Sequence, residues 1–224
     1  MISWNRWIGF CVAAALGCGG ESADRASAAS APPVATGERG RVVFLGTSLT
    51  AGLGLDPDEA YPAIIQQKID SAGLPYTAVN AGVSGETSAG ALRRVDWVLR
   101  EPAAVLVIET GANDGLRGLD VDTLRANIQA IIDRANRQTP RPRIVLAGMR
   151  ALPNYGFAYA RRFRAVYDDL AEKNDVELVP FLLEGVAGVG SLNQGDMIHP
   201  TAEGQRRIAE TVWKVLREVL AGSA

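Results

Sequence analysis

The stretch that decides the fold is residues 41–48, with the sequence Arg-Val-Val-Phe-Leu-Gly-Thr-Ser. Its apolar, β-branched run ends at Gly46, which predicts a short buried strand that stops at the glycine. Residues 103–109, Ala-Ala-Val-Leu-Val-Ile-Glu, form a second run of the same kind and predict a second buried strand. Because Ser48 follows its strand directly, we expect its hydroxyl to lie at the edge of a sheet.

Strands and helices alternate along the rest of the chain. The sequence predicts strands over residues 41–46, 76–80, 103–109, 143–148 and 177–180. Apolar residues recur at helical spacing over 58–71, 88–100, 121–138 and 158–173, and a final helix begins at Thr201. This alternation is typical of an α/β fold in which helices cover both faces of one parallel sheet. No internal repeat occurs, and residues 38–224 are predicted to form one domain.

Four polar or glycine-rich segments follow predicted strands, at the point where each strand ends. They are Ser48 with its neighbours and residues 82–85, 111–114 and 149–155. In open parallel sheets, ligands bind outside the carboxyl ends of the strands. We therefore expect these segments to converge on one rim that holds the functional site.

The first 37 residues differ in composition from the rest of the chain. Arg6 precedes a short apolar run over residues 7–17, which is the arrangement of a signal peptide. The following residues are rich in serine, alanine and proline and weakly hydrophobic. We expect residues 1–18 to be a signal peptide of the lipoprotein type and residues 19–37 to be a flexible linker.

The residues around Cys18 indicate how the chain is processed. Residues 15–18, Ala-Leu-Gly-Cys, resemble the lipobox of bacterial lipoproteins, although leucine is usual where Ala15 stands. Lipidation of Cys18 would place an exported protein in the periplasm or cell envelope, associated with a membrane through its lipid anchor. Ordinary secretion with cleavage near residues 26–28 stays open, as does an uncleaved N-terminus.

Composition excludes several classes of function. The 23 basic and 25 acidic residues give a net charge of -2, without the basic excess of a nucleic-acid-binding protein. Both cysteines precede residue 38, and the single histidine leaves no set of zinc ligands in the predicted domain. Residues 52–54, Gly-Leu-Gly, lack the third glycine of a dinucleotide-binding loop. We predict no metal, no cofactor and no nucleic-acid partner.

His199 is the only histidine, and Asp196 stands three residues before it in Asp-Met-Ile-His-Pro, residues 196–200. An imidazole can act as a general base near neutral pH, with a carboxylate holding its tautomer. Ser48 is a candidate nucleophile that would need such a base. Each residue also has a structural explanation, since the serine could cap a turn and the histidine could precede a helix beside Pro200.

Acyl transfer also requires hydrogen-bond donors for the oxyanion of the tetrahedral intermediate. Gly85 could offer its backbone N–H where a side chain would obstruct approach, and Asn113 could offer its side-chain amide. The alternatives are a glycine that supplies a positive φ and an asparagine that supplies a turn.

Four sequence blocks carry a resemblance to a known family. They are residues 46–52 (GTSLTAG), 80–88 (NAGVSGETS), 111–114 (GAND) and 196–200 (DMIHP). In this order they resemble the four blocks of the SGNH (GDSL-type) hydrolases. Two further runs, NDGLRG from Asn113 and LPNYG from Leu152, resemble the bacterial multifunctional thioesterase, lysophospholipase and arylesterase branch.

The resemblance implies a flavodoxin-like three-layer α/β/α sandwich, whose five-stranded parallel sheet has the order 2-1-3-4-5. It implies that Ser48 is the nucleophile of a catalytic triad completed by His199 and Asp196. The oxyanion hole would consist of the N–H groups of Ser48 and Gly85 and the amide of Asn113. One position departs from the family pattern, because Thr47 stands where an aspartate usually precedes the serine.

The implied function is that of a serine esterase. The resemblance suggests acyl esters, thioesters, aryl esters or lysophospholipids as substrates, and the expected export favours esters or lysolipids of the cell envelope. Two alternatives stay open at this point. One is a carbohydrate-ester deacetylase or acyltransferase of the same fold, and the other is a non-catalytic envelope lipoprotein that uses the fold for binding.

Overall fold

The computed structural model describes residues 38–222. The predicted signal peptide over residues 1–18, the predicted lipidation site at Cys18 and the predicted linker over residues 19–37 lie outside the described residues. All three stay predictions. Among residues 38–222, none of the helices combines the length and the hydrophobicity that a membrane-spanning segment requires.

Five parallel strands form one sheet in the described part of the chain. They are β1 (Gly40–Gly46), β2 (Tyr76–Gly82), β3 (Val105–Glu109), β4 (Arg143–Ala147) and β5 (Glu177–Val179). Their order across the sheet is β2-β1-β3-β4-β5. The predicted α/β fold and its strand order are thereby confirmed.

Helices pack on the sheet in two groups. They are α1 (Ser48–Ala51), α2 (Tyr61–Ser71), α3 (Ser88–Val98), α4 (Ala112–Leu116), α5 (Val121–Ala135), α6 (Phe157–Asn174) and α7 (Ala202–Ala221). Helix α2 contacts α7, while α5 contacts both α3 and α6. These groups are the outer layers of the three-layer sandwich.

The two strands at the centre of the sheet are buried on both faces. Val42, Val43, Phe44 and Leu45 of β1 are completely buried, as are residues 106–108 of β3. A strand covered by helices on both faces takes apolar residues continuously, without the alternation of a half-exposed strand. This burial explains why the runs that predicted these strands have no period of two.

Helices α1 and α4 stand where the sequence predicted loops. Four and five residues are too few for apolar periodicity to be recognised, and helices of this length have little stability of their own. Gly52 ends α1 with a φ of 72°, and Gly111 precedes α4 with a φ of 97°. Both glycines adopt backbone conformations that other residues rarely reach.

Strand register brings the functional segments together. Gly46 pairs with Gly82, and Glu109 pairs with Ala147, so neighbouring strands end at the same level. The segments after β1, β2, β3 and β4 therefore meet at one rim of the sheet, as predicted from their positions in the sequence.

Candidate active site

The turn after β1, which carries Ser48, packs closely against the end of the neighbouring strand β2. A Cβ atom on Gly46 would come within 1.9 Å of Thr50 Oγ1, and one on Gly82 within 2.3 Å of the Ala51 backbone nitrogen. Only glycine leaves room for these contacts. Because Ser48 is the first residue of α1, no helical carbonyl accepts its backbone N–H.

Ser48, His199 and Asp196 form one chain of hydrogen bonds. His199 Nε2 lies 2.9 Å from Ser48 Oγ, and His199 Nδ1 lies 2.6 Å from Asp196 Oδ2. With the proton on Nδ1, the imidazole donates to the carboxylate and keeps Nε2 free to accept the serine proton. The fold thus joins residues that are 151 positions apart in the arrangement a serine nucleophile needs.

Asp196 is held in its charged form by the segment that follows it. Its Oδ1 accepts the backbone N–H groups of Ile198 at 2.9 Å and of His199 at 3.0 Å. The His199 N–H, then the His199 side chain and the Ile198 N–H lower the pKa of Asp196 far below its ordinary value. Asp196 is therefore a carboxylate that can orient the imidazole throughout the range near neutral pH.

The loop that carries His199 is attached to the rest of the domain by amide side chains. Asn193 Nδ2 donates to the carbonyls of Val186 and Val189 at 2.7 and 2.8 Å. Gln194 Nε2 donates to the Leu53 carbonyl at 2.7 Å, which ties the histidine loop to the segment after α1. Neither Asn193 nor Gln194 was predicted from the sequence, because amides in a loop have no distinguishing local pattern.

Gly85 and Asn113, the predicted oxyanion-hole donors, line the same cavity as Ser48 and His199. Asn113 Nδ2 donates one proton to the Glu86 carbonyl at 3.0 Å, and its second proton is available to a ligand. A Cβ atom on Gly85 would meet no protein atom within 4 Å, and the φ of this residue is 77°. The positive φ is thus the structural reason for a glycine at position 85. The absence of a side chain also leaves Gly85 accessible from the cavity.

The loop that carries Gly85 is held by an ion pair. The Arg94 guanidinium donates to the Glu86 carboxylate at 2.7 to 2.9 Å. Arg94 Nη2 also donates to the carbonyls of Ala81 at 2.8 Å and Gly46 at 3.2 Å, so one side chain joins the ends of β1 and β2 to this loop. Arg94 belongs to no recognisable motif, so its contacts were not predicted from the sequence.

The buried Asp114 side chain connects two helices through hydrogen bonds. It accepts the Ser88 backbone N–H at 2.8 Å and the Ser88 hydroxyl at 2.6 Å, and so connects α4 to the first turn of α3. Between residues 38 and 222, no group of three or more His, Cys, Asp or Glu side chains could hold a metal ion.

A cavity of about 730 Å³ opens beside Ser48 and His199. Most of its wall is apolar and comes from the segments that follow the strands. These wall residues include Leu53, Leu116, Met149, Leu152, Pro153, Phe181, Leu183, Met197 and Ile198. Arg150 lies over the Phe181 ring at 4.1 Å from its centroid and adds a charge near the wall. The site therefore offers an apolar space next to a polar reaction centre.

An imidazole within reach of a hydroxyl and a carboxylate, at the rim of a parallel sheet, supplies what acyl transfer through a serine requires. The fold and the site together define a serine hydrolase that acts on ester bonds. The chain belongs to the GDSL-like lipase/acylhydrolase family, whose model matches residues 44–207.

Named relatives agree with this class. Esterase TesA of Pseudomonas aeruginosa is 39% identical over 80% of this chain and 89% of its own length. Thioesterase 1/protease 1/lysophospholipase L1 of Escherichia coli is 35% identical over 80% of this chain and 84% of its own. The crystal structure of the psychrotrophic esterase EstA from Pseudoalteromonas sp., inhibited by monoethylphosphonate, has a TM-score of 0.76 at 32% identity and covers 81% of this chain and 98% of its own.

Proposed function

We propose that this protein is an exported esterase that hydrolyses acyl esters, thioesters, aryl esters or lysophospholipids through an acyl-enzyme on Ser48. One observation carries the proposal. The hydrogen-bonded chain from Ser48 through His199 to Asp196 lies at the wall of an apolar cavity. An acyl chain in that cavity would bring its carbonyl carbon to the serine hydroxyl.

The first half-reaction forms the acyl-enzyme. His199 Nε2 takes the proton of Ser48 Oγ as that oxygen attacks the carbonyl carbon, and Asp196 stabilises the imidazolium. The N–H groups of Ser48 and Gly85 and the amide of Asn113 donate to the oxyanion of the tetrahedral intermediate. His199 then protonates the departing alcohol or thiol as its bond to carbon breaks.

The second half-reaction releases the acid. A water molecule gives a proton to His199 and attacks the acyl carbon, and the same donors stabilise the second oxyanion. Collapse of this intermediate returns the proton to Ser48 Oγ and frees the carboxylic acid. His199 thus acts alternately as base and acid, while Asp196 stays charged.

Apolar acyl groups fit the cavity wall better than sugar acetates do. The cavity wall carries exposed apolar side chains, with Leu152 57% and Met197 50% exposed. The relatives are named an esterase, an arylesterase and a thioesterase/lysophospholipase. Each methylene moved from water into an apolar site contributes about 0.8 kcal/mol, so kcat/KM should rise up to about fourfold per added methylene until the cavity is filled. A preference for acetyl esters of sugars would instead favour the deacetylase alternative.

Labelling by a fluorophosphonate tests the mechanism. We expect the wild-type protein to be labelled on Ser48, as mapped on its peptides, and Ser48→Ala to be unlabelled. Ser84→Ala, which removes an exposed serine from the next segment of the rim, is the matched control and should keep the label. A folded wild-type protein without label would support the non-catalytic lipoprotein instead.

The proposed location rests on the sequence of the N-terminal segment. Export and a lipid anchor at Cys18 would place the site at the periplasmic or envelope surface, where lysolipids are available. Growth with a fatty-acid analogue should label the wild type and Cys11→Ala but not Cys18→Ala. Equal labelling of the two variants, or none in the wild type, would contradict the anchor.

A further inference from the structure

Glu109 is a buried carboxyl group beneath the nucleophile turn that the mechanism above does not use. It is the last residue of β3 and is completely buried. It does not line the cavity next to Ser48. A buried carboxyl group is costly unless hydrogen bonds satisfy it, so its partners indicate what it does.

Every partner of Glu109 belongs to the nucleophile turn and donates to it. Oε2 accepts the Thr47 backbone N–H at 2.7 Å and the Thr50 hydroxyl at 2.9 Å. The Thr47 hydroxyl lies 3.0 Å from both carboxyl oxygens. Thr47 and Thr50 flank Ser48, so Glu109 holds the turn on both sides of the serine.

The network continues to the neighbouring helix and strand. Because the single Thr50 hydroxyl proton points to Glu109, the Tyr61 hydroxyl 2.8 Å away donates to Thr50. Asn80 Nδ2 donates to the Thr50 carbonyl at 2.9 Å. Glu109 is thus the common acceptor at the end of a chain that reaches α2.

The length of α1 explains why the turn needs an external acceptor. A helix of four residues makes too few internal hydrogen bonds to hold its own conformation. Gly46, two residues before α1, has no side chain, and a Cβ atom at this position would lie 2.8 Å from Glu109 Oε2. The absence of that side chain is what allows the carboxyl group to reach the turn.

We propose that Glu109 is a positioning residue for Ser48. By holding Thr47 and Thr50, it fixes the backbone of α1 and so aims the Ser48 hydroxyl at His199 and the Ser48 N–H at the oxyanion. The inference rests on the proposed function of Ser48. It predicts an effect on kcat and not on KM, because Glu109 touches the turn and not the cavity.

Glu109→Leu and Glu109→Gln separate the hydrogen bonds from the burial. The leucine removes every acceptor, and since a displacement of about 1 Å can cost about 100-fold, kcat should fall roughly 100-fold with KM within about twofold. The glutamine keeps an oxygen for the Thr47 N–H and offers its NH₂ group to the rotatable Thr47 hydroxyl. It should restore kcat to within about tenfold of the wild type, because the acceptor for the backbone is retained.

Fluorophosphonate labelling distinguishes positioning from a loss of folded protein. Misplacement of Ser48 predicts a slower labelling rate that still reaches one label per molecule in Glu109→Leu. A purely structural role predicts fewer labelled molecules at the wild-type rate, and that result would overturn the proposal. If the wild type itself is not labelled, the proposed function fails before Glu109 is tested.

Three buried threonines allow the same test if Glu109→Leu does not fold. Thr47, Thr50 and Thr110 are each at most 1% exposed, and the Thr110 hydroxyl has no hydrogen-bond partner. Thr47→Val and Thr50→Val should each lower kcat about 5- to 20-fold, since each removes one buried hydrogen bond to the carboxyl group. Thr110→Val should leave kcat unchanged. Thr47→Ser, which keeps the hydroxyl group, should have a kcat close to that of the wild type. Equal kcat values for the three valine variants would overturn the proposal.

Discussion

Two carboxyl groups near the nucleophile lie in contrasting surroundings. The Asp196 side chain is 46% exposed and accepts backbone N–H groups and the imidazole of His199. Glu109 is completely buried and accepts only from the turn that carries Ser48. Burial raises the pKa of Glu109, although the hydrogen bonds from Thr47 and Thr50 oppose this, whereas hydrogen bonds lower the pKa of Asp196.

The contrast between Asp196 and Glu109 shows that a carboxyl group can meet two different requirements of one active site, a fixed charge and a fixed position. In the proposed mechanism Asp196 must stay charged to stabilise an imidazolium, and water and backbone donors favour that charge. In the proposal made above, Glu109 must stay in place, and burial among donors gives it a single position.

The largest effect on kcat should follow removal of the nucleophile or its base, the two groups that Glu109 and Asp196 are proposed to position. Ser48→Ala or His199→Ala should lower kcat by about 10⁴- to 10⁶-fold, because the nucleophile or its only base is lost. Steady-state assays with a p-nitrophenyl ester would measure this, with circular dichroism as the check on folding. Wild-type turnover in either variant would contradict the mechanism.

The same change at the two carboxyl groups should have unequal effects. In Asp196→Asn the amide NH₂ would face His199 Nδ1 and favour the wrong tautomer, so kcat should fall about 10³- to 10⁴-fold. Glu109→Gln should cost about tenfold or less, because its acceptor oxygen is retained. Parallel kcat measurements on the two variants test the contrast, and equal losses would mean that the roles are not distinct.

Asn113 contributes from a third position on the rim. Asn113→Ala removes one predicted donor to the oxyanion and should lower kcat about 10²- to 10³-fold, with a smaller change in KM. Asn127→Ala is a suitable control, because the Asn127 amide donates to the Ser88 hydroxyl and lies outside the cavity wall. A similar loss in both variants would show that Asn113 acts through the structure of the loop alone.

The smallest effect is a difference in how folding stability depends on pH. The pKa of Glu109 is raised above its ordinary value of 4.5, so its stabilising contribution is present below that value and is lost as pH rises through the folded pKa. The pKa of Asp196 is lowered from 3.8, so its contribution is present above that value and is lost as pH falls through the folded pKa. Titration of the nearby Tyr61 and Tyr167 does not interfere, because the pKa of each is raised above 10.

Urea unfolding of the wild type, Glu109→Gln and Asp196→Asn at pH 2 to 8 would measure both contributions. The difference in unfolding free energy between wild type and Glu109→Gln should shrink as pH rises above 4.5. The difference between wild type and Asp196→Asn should shrink as pH falls below 3.8. If the two differences in unfolding free energy changed with pH in the same direction, the contrast between the two carboxyl groups would be contradicted.

The sequence predicted the strands well because the central ones are buried on both faces. Continuous apolar runs such as residues 103–109 can be recognised from the local sequence alone. The helices with a full apolar face were predicted for the same reason, with ends displaced by a few residues. Helices α1 and α4 were missed because a helix of one turn has no periodicity to detect.

The candidate site was predictable to the extent that its residues are rare or occur in motifs. His199 is the single histidine, and Ser48, Gly85 and Asn113 each follow a strand within a recognisable block. The side chains that hold these residues were not found. Arg94, Gln194 and Glu109 are of common types in ordinary local sequence, and only their distant partners give them a role.

By itself, the sequence determined the α/β class, the order of its elements and the candidate residues for the chemistry, since periodicity and short motifs are local properties. The tertiary structure alone decided which side chains hold these residues in place, and in particular which carboxyl group lies beneath the nucleophile turn. Glu109 and Thr47 are 62 positions apart, and Ser48 and His199 are 151 apart. Contacts of that separation depend on strand register and helix packing, which are set by the whole core and not by any one segment.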